Sequence, residues 1–197
     1  MKKLLAISIA AILLTGCAST SVNYVDPTGV DTTSIDFNST DLQTTTQKMI
    51  DEMLSSKAIY RITANKELPI LFFSGIKNET NEHINTKMLE NTVSTRLINS
   101  GNFQFTDMSQ VKNVKEQIDY QNYSGMVDQN DAVKMGQQVG AKYMMYGSIA
   151  NINASNSSQQ SNFFLITLKL MDVQKGVIIW QGEKQIRKIQ KKSTFGW

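Results

Sequence analysis

Apolar residues recur with the spacing of an α-helix along the first two thirds of this chain and with that of a β-strand along the last third. Helical spacing predicts four amphipathic helices, over residues 41–55, 86–99, 111–118 and 130–139. The motif Thr40-Asp41-Leu42-Gln43 predicts a capping box at the start of the first helix. Gly101 and Gly140 are placed as C-terminal stops for the second and the last.

Short apolar runs and strict alternation predict five strands, over residues 69–74, 103–105, 142–152, 162–173 and 177–189. The polar residues 76–83 and 155–161 are predicted as loops, and Gly176 closes a tight turn between the final two strands. Strands that alternate with helices and end in a three-strand meander predict one α/β domain. Its expected architecture is a mixed β-sheet with a C-terminal antiparallel meander, packed by amphipathic helices.

The N-terminus has the pattern of a lipoprotein signal peptide. Two lysines precede an apolar run over residues 4–14, which is too short to span a bilayer but suits the core of a signal peptide. The run ends in Leu14-Thr15-Gly16-Cys17, a lipobox in which the cysteine is acylated and becomes the first residue of the mature chain. Because Ala18 and not aspartate follows Cys17, the expected location is the outer membrane, with the chain lipid-anchored on its periplasmic face.

The chain therefore divides into four predicted parts: a signal peptide (1–16), an acylated cysteine with a flexible tether (17–38), the α/β domain (39–190) and a basic, aromatic tail (191–197). The tether is rich in Ser, Thr, Asn and Asp and has no helical or strand period. As a random coil, its roughly 20 residues would span roughly 25 Å, and about 70 Å at full extension.

Charge and cysteine content restrict the class of function. Loss of Lys2 and Lys3 with the signal peptide reduces 20 basic residues to 18, against 17 acidic ones, so the mature net charge is 18 − 17 = +1. This balance predicts no nucleic-acid partner. Cys17 is the sole cysteine, so its acylation leaves the domain without a disulfide. The methionines, Met49 and Met53 among them, are predicted to fill the core and not to bind metal.

The sequence has no constellation typical of an enzyme. It has one histidine, His83, and no P-loop, dinucleotide-binding or nucleophile-elbow motif. We therefore predict no catalytic residues, no metal, no cofactor and no small-molecule substrate. A pair of carboxylates that acts on cell-wall glycan is the enzymatic alternative that the sequence leaves open.

Five basic residues lie close together near the C-terminus: Lys184, Arg187, Lys188, Lys191 and Lys192. Lysines on an edge strand prevent unwanted strand pairing, and this is the interpretation that we favour. Contact with anionic lipid or glycan is the alternative.

Three segments of the last third resemble the LpoB-type penicillin-binding protein activators. They are Ala132-Val-Lys-Met-Gly136, Val139-Gly-Ala-Lys-Tyr-Met-Met-Tyr-Gly147 and Leu168-Lys-Leu-Met-Asp-Val-Gln-Lys-Gly-Val-Ile-Ile-Trp180. The similarity runs from about Thr40 to about Gln185. In the final hairpin, CsgG and the N-terminal domain of TolB look similar as well, because they share the fold.

The resemblance implies an outer-membrane lipoprotein without catalysis of its own. Such a protein binds a class A penicillin-binding protein, a bifunctional glycosyltransferase and transpeptidase, and activates peptidoglycan synthesis. The tether here is about half as long as in the best-known members, or less, and has one proline, so it extends less far towards an inner-membrane partner. The alternatives are a CsgG-like secretion or assembly lipoprotein and a structural lipoprotein that binds peptidoglycan.

Strand alternation selects Tyr146 as a residue for partner binding. It places Tyr143 and Met145 on one face of the sheet and Tyr146 on the other. If helices cover the first face, Tyr146 lies on the barer face, near the hairpin over residues 151–161, and is suited to the centre of an interface. The alternative is that Tyr146 belongs to a core on the second face.

Overall fold

The computed structural model describes residues 21–128, 130 and 140–192. The helices in this part of the chain are α1 (Ser39–Leu54), α2 (Lys57–Thr63), α3 (Thr86–Asn99) and α4 (Val111–Tyr123). The strands are β1 (Ile70–Glu79), β2 (Gln104–Phe105), β3 (Tyr143–Ser155), β4 (Gln159–Asp172) and β5 (Val177–Lys191). The signal peptide, Cys17, residues 193–197 and the helix predicted over 130–139, apart from Asn130, lie outside the described residues.

The strands form one mixed sheet in the order β2-β1-β3-β4-β5. β1 pairs in parallel with β2 and β3, whereas β4 is antiparallel to both β3 and β5. The predicted mixed sheet with a C-terminal antiparallel meander is therefore confirmed. Gly176 has a φ of 69° in the turn before β5, and β5 is an edge strand of this sheet, as its lysines indicated.

The core lies between one face of the sheet, here called the helix face, and helices α1, α2 and α3. The alternation predicted for β4 is confirmed, since its buried residues include Phe164, Ile166, Leu168 and Leu170. Met49 and Met53 of α1 are also fully buried and fill the core, as predicted. Helices α1, α2 and α3 thus pack on one face of the sheet, and the opposite face points away from them.

Helix α1 begins two residues earlier than predicted, because Asn38 and not Thr40 caps it. The Asn38 side chain accepts a hydrogen bond from the Asp41 N–H (3.2 Å), and the Asp41 carboxylate accepts one from the Asn38 N–H (3.0 Å). This is a capping box with a short Asn side chain, which reaches the third helical N–H well. The Thr40 hydroxyl instead accepts from the Asp31 N–H (2.8 Å).

Strand β1 is longer than predicted, because the polar residues 76–79 continue it. These residues pair with β3 as far as Glu79 and Ala150. This pairing keeps them in the sheet although their sequence has no alternation of apolar residues. A bulge between Phe73 and Gly75 separates the apolar first part of β1 from this polar extension. Gly75 has a φ of 120°, which glycine adopts without strain.

Two other differences concern the β3–β4 hairpin and a short helix. The loop predicted over 155–161 is reduced to residues 156–158, since β3 and β4 pair as far as Ser155 and Gln160. Helix α2 was not predicted, because a helix of seven residues with one buried side chain, Ile59, shows no measurable period.

Candidate interaction surface

The described residues offer surfaces for binding and no cluster of metal-ligating side chains. The described residues contain no group of three or more His, Cys, Asp or Glu side chains that could hold a metal ion. No helix in the described ranges is long and apolar enough to cross a membrane. In the same part of the chain, every fully buried side-chain nitrogen or oxygen has a hydrogen-bond partner.

Tyr146 lies on the sheet face opposite to the helix face, here called the second face, which is formed by the alternate residues of β3, β4 and β5. On β3, Tyr143 is 5% exposed and Met145 is fully buried on the helix face, whereas Tyr146 is partly exposed. The face predicted for Tyr146 agrees with this arrangement.

The position of Tyr146 along the strand differs from the prediction. Tyr146 is paired with Gly75 of β1 on one side and with Lys169 of β4 on the other. Asn151 lies about five residues further along β3, which corresponds to roughly 17 Å. The expectation that Tyr146 lies near the β3–β4 hairpin turn is therefore wrong, because the strands extend well beyond their apolar residues.

Residues 27–38, here called the strap, lie against the domain before α1 begins. The Phe37 ring packs edge-on against Phe164, with 5.6 Å between the ring centroids. The Phe37 N–H donates to Glu82 Oε2 (2.9 Å), and Glu82 Oε1 accepts from Asn162 Nδ2 (2.6 Å). One carboxylate therefore joins the strap to the loop after β1 and to β4.

A second set of contacts joins the strap to β5. Lys188 Nζ donates to the Asp36 carbonyl (2.7 Å) and to the Asp41 carboxylate (2.9 Å). The Lys188 and Asp41 side chains are 16% and 10% exposed, so water screens this pair less than a surface pair. Within the strap, the Thr33 hydroxyl and N–H donate to Asp31 and hold the pKa of that carboxyl below its usual value.

The strap shortens the segment that is free to act as a tether. Its contacts begin at Pro27, whose carbonyl accepts from Gln43 Nε2 (2.9 Å). The tether boundary predicted at residue 38 therefore falls within a segment that contacts the domain. Nine residues, 18–26, separate Cys17 from Pro27, and at full extension they span about 30 Å.

The basic residues of β5 divide between the two faces by strand alternation. Lys184 and Lys188 lie on the helix face, where they form ion pairs with Glu52 and Asp41 of α1. Arg187 lies on the second face, with its guanidinium carbon 5.5 Å from the centre of the Phe163 ring. The cluster that appears continuous in the sequence is therefore two clusters with different surroundings.

Packing requires glycine at two positions, Gly147 in a family-like motif and Gly182 just after the last motif. A Cβ atom on Gly147 would overlap the Thr167 carbonyl oxygen of β4. A Cβ on Gly182 would lie 2.5 Å from Cη2 of Trp180, whose ring covers that position. Both glycines thus allow close approach within the sheet, which is a reason for their presence that the sequence pattern did not supply.

Sequence analysis did not identify Glu82 and Glu90 as important. Glu90 of α3 is 8% exposed, and its Oε1 accepts from the Ile76 N–H (3.0 Å) beside the β1 bulge. No local pattern separates a glutamate that accepts buried backbone N–H groups from one on a solvated surface. Each bonds a residue on another element: Glu82 bonds Asn162, 80 positions away along the chain, and Glu90 bonds Ile76, 14 positions away.

Comparison with known proteins identifies the family. A family model described as peptidoglycan-synthase activator LpoB matches residues 41–186. The penicillin-binding protein activator LpoB of Citrobacter koseri is 28% identical over 142 residues, which cover 72% of this chain and 60% of that protein. LpoB of Escherichia coli strain K12 is 28% identical over 138 residues, which cover 70% of this chain and 58% of that protein.

Among solved structures, the LpoB C-terminal domain from Salmonella enterica has a TM-score of 0.46 and 22% identity, and the match covers 74% of this chain and 98% of that one. The aligned part of this chain spans 60% and 58% of the length of the two curated relatives. The family model extends from the first turn of α1 into the second half of β5. This chain therefore belongs to the family of the peptidoglycan-synthase activator LpoB.

Proposed function

We propose that this chain is a lipoprotein, anchored on the periplasmic face of the outer membrane, that binds a class A penicillin-binding protein and activates peptidoglycan synthesis. The family match over residues 41–186 is the observation that supports this most strongly. The relatives' name, penicillin-binding protein activator, describes a regulator of another protein.

The proposed activity is binding without catalysis. The polar groups that sequence reasoning did not identify, Glu82 and Glu90, accept hydrogen bonds from Phe37, Asn162 and Ile76, and these contacts give both carboxylates a structural role. We place the docking surface for the penicillin-binding protein on the second face around Tyr146.

Membrane attachment is tested at Cys17. Acylation at this residue predicts that Cys17→Ser moves the protein from the membrane fraction to the soluble periplasmic fraction, since the remaining chain loses its lipid anchor. The measurement is fractionation together with metabolic labelling by a palmitate analogue. A mutant that still sediments with membranes and still incorporates the label would show that the anchor is elsewhere.

Activation is tested with the purified partner enzyme. Affinity purification from crosslinked cells should recover a class A penicillin-binding protein. Addition of the mature protein should then raise its glycan polymerisation rate, and heat-denatured protein is the control. Recovery of secretion components alone would support the CsgG-like alternative.

Two further outcomes would redirect the assignment. Salt-sensitive binding to purified sacculi without an effect on polymerisation would indicate a structural peptidoglycan-binding lipoprotein, because charge contacts weaken as salt rises. Lysis of sacculi by the purified protein would show that it is an enzyme.

A further inference from the structure

The second face has a cationic and apolar surface at the end of the sheet that contains the β3–β4 turn. We call it the hairpin-end patch and define it as Ile152, Phe163, Arg187, Ile189 and Lys191. We propose that this patch binds the anionic phospholipid headgroups of the membrane in which the chain is anchored. The inference rests on the proposed lipid anchor and adds a second, protein-mediated membrane contact to it.

Strand register brings the members of the patch together. Ile152 of β3 is paired with Phe163 of β4, and Phe163 is paired with Arg187 of β5. Ile189 follows two positions after Arg187 on the same face. Ile152 is 68% exposed and Ile189 is 56% exposed, although both are aliphatic residues at strand positions. The patch thus combines exposed apolar side chains with basic ones, as surfaces that lie at a membrane interface do.

The positive charges of the patch are not neutralised within the described residues. Lys184 and Lys188, on the helix face, have carboxylate partners, whereas Arg187 and Lys191 have none in the part of the chain that the structure describes. Lys192 lies next to the patch, on the helix-face side of the same end of the sheet, and its Nζ donates to the uncharged Ser155 hydroxyl (3.1 Å) and Asn156 carbonyl (2.8 Å). The two unpaired cations of the patch, with Lys192 beside them, attract an anionic surface.

The described chain before α1 runs along the end of the sheet that holds this patch. The strap residues 30–35 line a groove of 430 Å³ together with residues 186–190 of β5, so the strap lies along the same end of the sheet. From Pro27, nine residues lead to Cys17, a distance of about 30 Å at most. Exposed apolar side chains of this segment, Val22, Tyr24 and Val25, are suited to the same interface.

This proximity favours lipid over an acidic protein as the occupant. A short tether keeps the patch close to the headgroups at a high effective concentration, so the patch does not have to find its ligand by diffusion. Each Lys or Arg near an anionic leaflet strengthens binding by about fivefold. Since the strap leads the chain to the end of the domain that holds the patch, one orientation can satisfy both the proposed anchor and the patch, and it leaves Tyr146 further from the membrane.

The test uses the acylated, mature protein reconstituted into vesicles. Cys17 is the sole native cysteine and its thiol is consumed by acylation, so a cysteine introduced by Ser161→Cys, which is paired with Ala154 and Ile189 beside the patch, can be labelled with an environment-sensitive fluorophore. Asn99→Cys, at the exposed end of α3, is the control position. The probe surfaces are phosphatidylcholine vesicles alone and vesicles with about one third phosphatidylglycerol, both with a headgroup quencher.

We expect quenching at position 161, and not at position 99, in the phosphatidylglycerol vesicles, with loss of quenching at about 1 M salt. The double variant Arg187→Gln/Lys191→Gln should reduce the docked fraction relative to the undocked one by about thirtyfold. The matched variant Lys57→Gln/Lys66→Gln removes the same charge from exposed positions away from the β3–β4 turn and should have no effect. An unchanged thermal midpoint will show that both variants are folded.

Equal quenching in the two kinds of vesicle, or equal behaviour of the two double variants, would overturn the proposal. If Arg187→Gln/Lys191→Gln instead abolishes activation of the penicillin-binding protein while vesicle quenching is unchanged, the patch binds protein and not lipid. Failure of the lipid anchor itself is recognised separately, because the unlabelled protein would then not sediment with any vesicle.

Discussion

At the scale of single residues, Glu90 shows how one side chain stabilises an irregular strand. The bulge between Phe73 and Gly75 leaves Ser74 without a partner residue on β3, and two positions further along Glu90 Oε1 accepts the Ile76 N–H at 3.0 Å. Glu90 Oε2 also accepts from Lys87 Nζ at 2.8 Å. The hydrogen bond and charge of Glu90 hold the pKa of Lys87 above its usual value, so this small stabilisation is present at neutral pH and is lost only as pH rises through that pKa.

Replacement of Glu90 separates the buried hydrogen bond from the exposed ion pair. Glu90→Leu leaves the Ile76 N–H without an acceptor and should lower the free energy of unfolding by about 1–3 kcal/mol. Glu90→Gln keeps an acceptor and loses only the pair with Lys87, whose side chain is 69% exposed, so it should cost less than about 1 kcal/mol. Urea unfolding measures the free energy of unfolding of both variants. Equal losses of stability in the two would show that the buried hydrogen bond contributes no more than the exposed ion pair.

Tyr146 is the residue that tests the docking surface. Tyr146→Ala should weaken binding to the penicillin-binding protein by about 1–2 kcal/mol, because a partly exposed tyrosine at an interface loses a large contact area. Tyr60→Ala, on the 71% exposed Tyr60 of α2, is the matched control and should leave binding unchanged. Titration calorimetry gives the affinity, and thermal unfolding gives stability.

Two results would change this assignment. A large loss of stability in Tyr146→Ala would return Tyr146 to a structural role on the second face. Unchanged affinity with unchanged stability would place the contact surface elsewhere.

At the scale of elements, the strap is the feature that most changes the predicted organisation. It has no regular secondary structure, yet Glu82, Asn162 and Lys188 bond its backbone from three different parts of the chain. Its Phe37 ring packs on Phe164, which is fully buried in the core. The strap therefore belongs to the folded domain energetically, although its composition resembles a linker.

Phe37→Ala should release the strap. Loss of the ring contact should lower the free energy of unfolding by about 2 kcal/mol, since a half-buried aromatic residue loses part of its burial and its edge-on contact. Amide hydrogen exchange over residues 31–38 should increase more than exchange over β4. Tyr24→Ala removes an equally large but fully exposed ring upstream and should change neither quantity. Protection of residues 31–38 that persists in Phe37→Ala would show that the polar contacts alone hold the strap.

At the scale of the whole molecule, if Cys17 is acylated as proposed, the nine residues 18–26 keep the domain surface within about 30 Å of the lipid anchor, compared with about 70 Å for the tether predicted from sequence. A partner in the inner membrane must therefore extend towards this domain.

Shortening the free segment tests this limit. Deletion of residues 21–25 leaves four residues between Cys17 and Pro27, a reach of about 14 Å. Crosslinking to the penicillin-binding protein in cells should fall, while activation of the detergent-solubilised enzyme should be unchanged, because the domain itself is intact. Replacement of residues 21–25 by five Gly and Ser residues is the length-matched control. A deletion variant with full crosslinking in cells would show that reach is not limiting.

The elements that bury one face at a regular period could be predicted from the sequence alone. The alternation of β4 predicted the buried Phe164, Ile166, Leu168 and Leu170, and the helical spacing of α3 predicted Leu89, Val93 and Leu97. The spacing of apolar residues predicts these elements because a strand turns every second residue to the core, whereas a helix turns every third or fourth residue to it. The motifs around Gly147 and Trp180 likewise indicated the family.

Long-range contacts in the folded chain determine which polar residues belong to the domain and which surface each charge contacts. Asn162 bonds the Ile35 carbonyl 127 positions away, and Lys188 bonds Asp36 152 positions away. Strand pairing, and not local composition, extended β1 and the β3–β4 hairpin through polar residues. The basic residues of β5 divided between an ion-paired cluster and an unpaired one because the helix face offers carboxylates from α1. Contacts over such separations have no local period, so they arise only when the chain has folded.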